Sequence, residues 1–432
     1  MGIEISALVI IGGLLLLMLL GVEIAVSMGV MASVGFMFLI GQPQIQIAWA
    51  AWETLNSFTL LAMPLFIFMG AMFAYSGAVH SLFEGVDKLI GFLPGGLASA
   101  VIAASAVFGA MSGSSIAAAA TFTMIAFPEM EKRGYDPDLA FGSIAIGGTL
   151  SVLIPPSLIL IVYGAWENQS VARLFAAAIV PGIILAGLLL LTLFVLVRIH
   201  PHRAPKSPPV SWRKRLIAVK QLLPWLGIIC IVLGAIFGGL MTPTEAAALG
   251  AFLGIVVAWA FGALSYDVIK QSVLTAVKVT AMIGFVLVSA KLLAFVFQAS
   301  GLTEKASTFM VGLPLGKYGT MTVICLMYLI LGMFFDALAM MLLTLPFVMP
   351  IITNFGFDPI WWGVTYVILV EISFVTPPFG LNLFTIHGVF PQYSILQIAR
   401  GTLPFLIPMI MIIILLIIFP QLALWLPRFM YS

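Results

Sequence analysis

Two proline pairs, Pro155-Pro156 and Pro377-Pro378, each stand inside an otherwise apolar stretch, and this placement constrains the chain more than any other feature. Proline lacks an amide hydrogen and bars the residue before it from helical geometry, so neither stretch can run as one unbroken helix. The surroundings are those of a bilayer protein: 62% of the 432 residues are hydrophobic and 8% charged, with a mean hydropathy of +1.21. No water-soluble fold has that balance. Unwound backbone at membrane depth is tolerated only where it lines a cavity or is buried in protein. At roughly 20 apolar residues per crossing, the length allows about ten to twelve crossings and no soluble domain. The apolar run Ile5–Leu20 lacks a basic leader and a small-residue cleavage site, so it reads as a retained helix. Cys230 and Cys325 lie in apolar segments and read as packing residues. A net charge of +2 gives no reason to expect a nucleic-acid partner.

Basic residues set the orientation. Arg198–Lys220 holds seven of the eighteen lysines and arginines, together with Pro201, Pro205, Pro208 and Pro209, and by the positive-inside rule it is cytoplasmic. Counting crossings outward places Ser81–Gly96, Glu129–Asp136, Leu264–Lys278 and Phe390–Thr402 on the same side, thirteen basic residues in all. Arg173, Lys305, Lys317 and Arg428 fall outside, and both termini are expected to be periplasmic if two apolar segments are hairpins rather than spans.

Those segments belong to an internal repeat. Leu93-Pro94-Gly95 recurs as Leu313-Pro314-Leu315, Pro128 as Pro350, Gly134-Tyr135-Asp136-Pro137 as Gly356-Phe357-Asp358-Pro359, and Pro155-Pro156 as Pro377-Pro378. In each copy an apolar stretch is interrupted at its middle, by Ser112-Gly113-Ser114-Ser115 and by Phe335-Asp336-Ala337. Halves of about 15 residues are too short to cross at a 1.5 Å rise, so each stretch reads as a re-entrant hairpin with its tip near the midplane. Each copy then carries a broken helix, with Gly147-Gly148-Thr149 ahead of one Pro-Pro pair and Glu371-Ile372-Ser373 ahead of the other. The first hairpin enters from the cytoplasm and the second from the periplasm. The expected fold is an all-α polytopic membrane protein, an inverted repeat with two re-entrant helical hairpins and two broken helices.

The expected organisation is N-terminal scaffold helices over 1–57, then a first repeat over 58–197 comprising a scaffold helix, a hairpin at 97–128, a broken helix at 137–166 and a following helix. A basic cytoplasmic loop at 198–220 and scaffold helices at 221–278 precede the second, inverted repeat at 279–425, with its hairpin at 317–350 and broken helix at 360–388. His80–Leu89 and Tyr266–Val277 read as interfacial helices. Hairpin tips facing unwound helices leave carbonyl oxygens and half-helix N-termini around one small space, which is how inverted-repeat transporters build ion and substrate sites.

Four longer stretches, LSVLIPPSLILIVYG at Leu150–Gly164, LFAAAIVPGIILAG at Leu174–Gly187, GGLMTPTEAAALGAF at Gly238–Phe252 and FVTPPFGLNLF at Phe374–Phe384, resemble the large membrane subunit of tripartite ATP-independent periplasmic (TRAP) transporters, the DctM type. The resemblance extends over essentially the whole chain. It implies an elevator-type ion-transporter fold driven by inward sodium flow in the bacterial inner membrane. It also implies two partners: a small four-helix membrane subunit and a soluble periplasmic protein that delivers a carboxylate or sialic acid. A separate small subunit is expected rather than a fused one, because a fusion would need a linking helix ahead of Ile5.

In that light Ser112, Ser114 and Ser115, with backbone around Gly147, Gly148, Thr149 and Pro155, are candidate ligands of a first sodium ion. Gly332, Asp336, Ser373, Thr376 and Pro377 are candidates for a second. Small residues at a tip also serve close packing, and an acid such as Asp336 also serves as a helix cap. Ser114, Asn382 and Lys291 are candidate substrate contacts, while pairing or snorkelling explains Lys291 equally well. Glu371 is placed to orient the second Pro-Pro loop through hydrogen bonds. No cofactor beyond the coupling ion is expected. A stand-alone carboxylate transporter of similar architecture is the main alternative. A channel suits two buried hairpins less well than an occluding transporter. An intramembrane enzyme is disfavoured because the four histidines are scattered and the serines have no nearby candidate base.

Overall fold

The computed structural model describes residues 3–40, 45–205 and 210–431. Pro208 and Pro209 of the basic segment, and the terminal residues 1, 2 and 432, lie outside the described residues. Among those described, the chain is helical with no strand. It opens with α1 (Ile3–Leu19), α2 (Ile24–Gly35) and α3 (Ile45–Leu55). A first unit follows: α4 (Ala62–Tyr75), α5 (Ala78–Ile90), α6 (Leu97–Ser112), α7 (Ser115–Lys132), α8 (Pro137–Leu153), α9 (Leu158–Trp166) and α10 (Val171–Ile199). After α11 (Trp212–Phe237) and α12 (Pro243–Ala260) comes the second: α13 (Tyr266–Ala299), α14 (Leu302–Gly312), α15 (Gly316–Leu331), α16 (Ala337–Asn354), α17 (Pro359–Phe374), α18 (Leu381–Val389) and α19 (Ile395–Ile418). α20 (Gln421–Met430) closes the chain.

The units match element by element. α6 and α15 each have 16 residues, α7 and α16 each 18, and α9 and α18 each 9. The repeated Asp-Pro motif adds a further match, that of α8 with α17. Asp136 caps α8 by accepting from the Leu139 amide, and Asp358 caps α17 by accepting from the Ile360 amide. The prolines that follow occupy the first helical turn, where a missing amide hydrogen costs nothing.

Packing between the units is reciprocal: α8 lies on α19 and α17 on α10, α7 lies on α18 and α16 on α9, and α8 meets α17 at the centre. Exchange of this kind is what an approximate twofold axis produces. The 29 residues of α10, about 43 Å at 1.5 Å per residue, give the direction of each unit. At its C-terminal end the Asp136 amide donates to the Arg203 carbonyl (2.9 Å), which fixes the base of the first hairpin there. At its N-terminal end Arg173 lines one cavity with Asp358 and Arg428, at the base of the second hairpin. The hairpins therefore enter from opposite ends.

α8 from Leu139 and α17 from Ile360 onward are buried on every side, as expected of helices apolar all round at the middle of a membrane protein. Among the described residues, seven helical segments are long and apolar enough to cross a bilayer, counting α8 with α9 as one, or eight if the bent pair around Ser57 is one span. That is fewer than the ten to twelve that length allows, because apolar residues are also laid out as helices of 10–17 residues. Length alone does not expose the hairpins, since α16 qualifies as a span by itself.

Several boundaries differ from the sequence reading. The first helix does not break at Gly147-Gly148-Thr149, which are helical; the break is Ile154–Ser157. The second likewise continues through Glu371-Ile372-Ser373 and breaks after Phe374. Glycine weakens a helix, but only the prolines remove hydrogen bonds, and they act on the residues beside them. Further differences are that Tyr266–Val277 is the start of continuous α13 rather than a separate helix, and that α11 begins at Trp212 inside the expected loop.

Candidate functional site

Each hairpin tip meets the helix break of its own unit. Gly113 closes α6 with a φ of +58°, and a Cβ there would lie 3.1 Å from the Pro156 carbonyl oxygen and 3.2 Å from the Leu158 amide nitrogen. In the second unit a Cβ on Gly332 would overlap the Ser373 side chain, and the Phe334 and Phe379 rings lie 5.5 Å apart. Both Pro-Pro bonds are cis. The tips are capped differently: the Ser114 hydroxyl accepts from the Ala117 amide (3.3 Å), and the Asp336 carboxylate accepts from the Leu338 and Ala339 amides (3.0 and 3.2 Å).

Four helix ends converge at each place. α7 and α9, or α16 and α18, bring N-termini with positive partial charge, while α6 and α8, or α15 and α17, bring carbonyl ends. The prolines add further acceptors. Pro155 and Pro156 offer no N–H to the carbonyls four residues back, those of Ser151 and Val152, and Pro378 offers none to Phe374. The Ser373 carbonyl is taken instead by the Thr376 amide (3.2 Å). Gly147, Gly148 and Thr149 direct their carbonyls along α8, so the backbone oxygens released at the first break come from the following turn.

The hydroxyls are placed as follows. Ser112 is buried, and its Oγ has no partner among the described residues. Thr149 donates to the Ile146 carbonyl (2.7 Å), Ser373 to Leu369 (3.0 Å) and Thr376 to Ile372 (2.6 Å). Ser115, the first residue of α7, donates to Glu371 Oε2 at 2.8 Å and accepts from Asn382 Nδ2 at 2.8 Å. The same amide reaches the Ala145 carbonyl (3.3 Å). Glu371 is 1% exposed and Asn382 0%, and neither Glu371 Oε1 nor Asn382 Oδ1 has a partner among the described residues. This cluster joins the first hairpin, the helix before the first break, and both sides of the second break. A Cβ on Gly148 would stand 3.1 Å from the Ser115 carbonyl oxygen and 3.2 Å from Asn382 Nδ2, so Gly148 gives the cluster its room.

A cavity of about 510 Å³ lies between α4, α13 and the first hairpin, lined by Gly70, Ser112, Ser114, Thr121, Leu158 and Thr275 among others. Its size suits a small organic ligand. It extends from the tip to Tyr75 and His80 beside α5, the helix whose Asp87 pairs with Arg133 (3.6 Å) near the base of that hairpin. Lys291 lies elsewhere. Its ammonium stands 5.5 Å from the Trp166 ring centroid, in a cavity of about 560 Å³ shared with Trp49, Trp52, Glu53 and Asn56.

The structure thus brings Ser112, Ser114, Ser115 and Gly148 to one place and Gly332, Asp336 and Ser373 to another. It separates the three candidate substrate contacts, since Ser114 faces the first cavity, Lys291 lines a different one, and Asn382 is sealed inside the cluster. Sequence reasoning gave Glu371 only a local role and passed over Ser105, whose buried hydroxyl also has no partner among the described residues. An acid in an apolar stretch is the available signal for Glu371, and the interrupted apolar stretch is that for Ser115; their pairing across the two units has none.

Residues 11–422 match the model of the DctM component of the tripartite ATP-independent periplasmic transporter family. The chain is 32% identical to a C4-dicarboxylate TRAP transporter large permease protein, DctM, of Vibrio cholerae, over 95% of each chain. It is 30% identical to the sialic acid TRAP transporter large permease protein SiaM of the same species, over 91% of this chain and 93% of that one. Among solved structures it resembles the YdaH transporter of Alcanivorax borkumensis, with a TM-score of 0.55 and 14% identity over 86% of each chain, a likeness of fold alone.

Proposed function

The chain belongs to the DctM component family of tripartite ATP-independent periplasmic transporters, and on that premise we propose that it drives sodium-coupled uptake of an organic acid across the bacterial inner membrane. The family transports and does not catalyse. The observation that carries the sodium reading is the doubled arrangement of a hairpin tip against a Pro-Pro break, each with two helix N-termini, two carbonyl ends and side-chain oxygens. Hard cations favour such oxygen sets. In this reading Ser112, Ser114 and Ser115 form the first site with backbone from Gly147 to Pro155, where Ser151 and Val152 carry the released carbonyls. Gly332, Asp336, Ser373, Thr376 and Pro377 form the second.

The two units move together as an elevator against α1–α3, α11 and α12 with the neighbouring ends of α4 and α13, and the cavity beside Ser112 and Ser114 is the substrate's path on the cytoplasmic side. Lys291 receives the acid on the other side, and both termini are periplasmic. Relatives named for C4-dicarboxylate and for sialic acid support an organic acid as cargo. A tripartite system supplies the partners: a small membrane subunit, expected to have four helices, and a periplasmic protein that delivers the substrate.

Reconstitution tests this reading. Proteoliposomes holding this subunit, its small partner and the loaded binding protein should accumulate substrate only with an inward sodium gradient. Equal uptake by this subunit alone would overturn the tripartite reading, and equal uptake with potassium replacing sodium would overturn the coupling.

A further inference from the structure

The fold is doubled, but the polar cluster at its centre is not. Counted by the separation of Pro155 from Pro377, Ser115 corresponds to Ala337, Glu371 to Thr149 and Asn382 to Leu160. The counterpart position therefore holds one hydroxyl and no acid, and Thr149 turns that hydroxyl to its own helix. Adhesion between the units would be served as well on either side of the axis, so a link present once points to a task that is itself directional.

We propose that Glu371 is a positioning residue that couples the two tip sites, so that sodium bound at one alters affinity at the other; this rests on the sodium reading above. The path is short and contiguous. Ser115 is a candidate ligand of the first site, and its hydroxyl donates a hydrogen bond to Glu371 Oε2 at 2.8 Å. Glu371 lies in the last turn of α17, where the Ile372 carbonyl holds the Thr376 hydroxyl (2.6 Å) and Ser373 abuts Gly332. Candidate ligands of the second site thus stand on the same helical turn as the acid. From beyond the second break Asn382 reaches the same Ser115 hydroxyl, so both flanks of that break respond to one atom of the first hairpin.

A close-packed, fully buried setting transmits such a displacement rather than absorbing it. Transmission also needs a second arrangement. Glu371 Oε1 and Asn382 Oδ1, both without partners among the described residues, supply the acceptors for one: the Ser115 hydroxyl can turn from Oε2 to Oε1 as it engages an ion.

The test is the shape of the equilibrium sodium-binding curve of the reconstituted tripartite system, read as bound sodium, because an uptake rate that needs both sites filled is sigmoidal even when the sites are independent. The wild-type curve should be sigmoidal with a Hill coefficient approaching about 2, the number of sites. Glu371→Gln keeps an oxygen to accept from Ser115 and should keep that shape. Glu371→Met keeps the length and loses the acceptor, and should lower the coefficient to about 1. If Glu371→Met does not elute as a single folded species, Asn382→Leu applies the same test from the other flank. A folded Met or Leu variant with a wild-type coefficient overturns the inference, as does a Gln variant that loses cooperativity equally. A non-cooperative wild-type curve overturns it too but leaves sodium coupling standing, whereas a wild type indifferent to sodium removes the underlying reading.

Discussion

Ser115 Oγ donates to Glu371 Oε2 across 2.8 Å although 256 positions separate the two residues in the chain. One belongs to the tip of the first hairpin and the other to the last turn before the second helix break. Their bond makes the centre of the protein a joint between the two repeats, and it directs where substitutions should be felt.

Ser115→Ala removes the hydroxyl with almost no change in shape. A hydrogen bond to a charged group contributes about 1.5–3 kcal/mol, so loss of a direct ligand should weaken the apparent sodium affinity roughly ten- to hundredfold. Thr376→Ala should do the same at the second site. Sodium titration of uptake, with expression and gel-filtration profiles as controls, measures both. An unchanged sodium midpoint in either variant would show that its hydroxyl only packs.

Gly142 and Gly401 hold the crossing of α8 and α19. A Cβ at Gly142 would strike the Gly401 carbonyl, and one at Gly401 would strike the Asp138 carbonyl. Backbone cannot move aside as a side-chain tip can, so Gly401→Ala should cost about 1–3 kcal/mol, the range for overpacking. Thermal unfolding in detergent should show a lower midpoint. Gly187→Ala, with nothing within 4 Å of its Cβ, should not lower the midpoint and should raise it slightly through the better helix propensity of alanine.

Relative movement of the units and scaffold predicts a change of neighbours across the cavity beside the first tip. With Cys230 and Cys325 replaced, cysteines at Met124 on α7 and Val279 on α13, both on that cavity's wall, should crosslink to different extents with and without sodium and substrate. The same yield under every condition would count against the elevator.

Lys291→Gln should raise the KM for an anionic substrate roughly tenfold or more, the loss expected when a charged hydrogen bond is removed. The sodium midpoint should stay where it is, because Lys291 lies in a cavity away from both tips. A variant with unchanged KM would assign the lysine to its contacts with Trp166 and Glu167.

What the sequence determined by itself rests on local chemistry. Apolar runs require a bilayer, prolines interrupt helices, Asp-Pro starts them, and recurrence of these landmarks at fixed spacing shows a duplicated unit. Even there resolution was limited. Gly147-Gly148 looked like a breaking point, but glycine only lowers helix stability and a fully buried helix tolerates it, whereas Pro155-Pro156 removes the hydrogen bonds outright. The tertiary structure alone decided which polar groups meet. Asn382, a candidate substrate contact by sequence, is sealed against Ser115; Lys291, another such candidate, lines a different cavity; and Glu371, by sequence a brace for its own loop, is the joint between the repeats. Periodicity fixes which face of a helix is apolar. Which buried oxygen faces which hydroxyl depends on how two units related by an approximate twofold axis are packed, and no spacing within either unit encodes that.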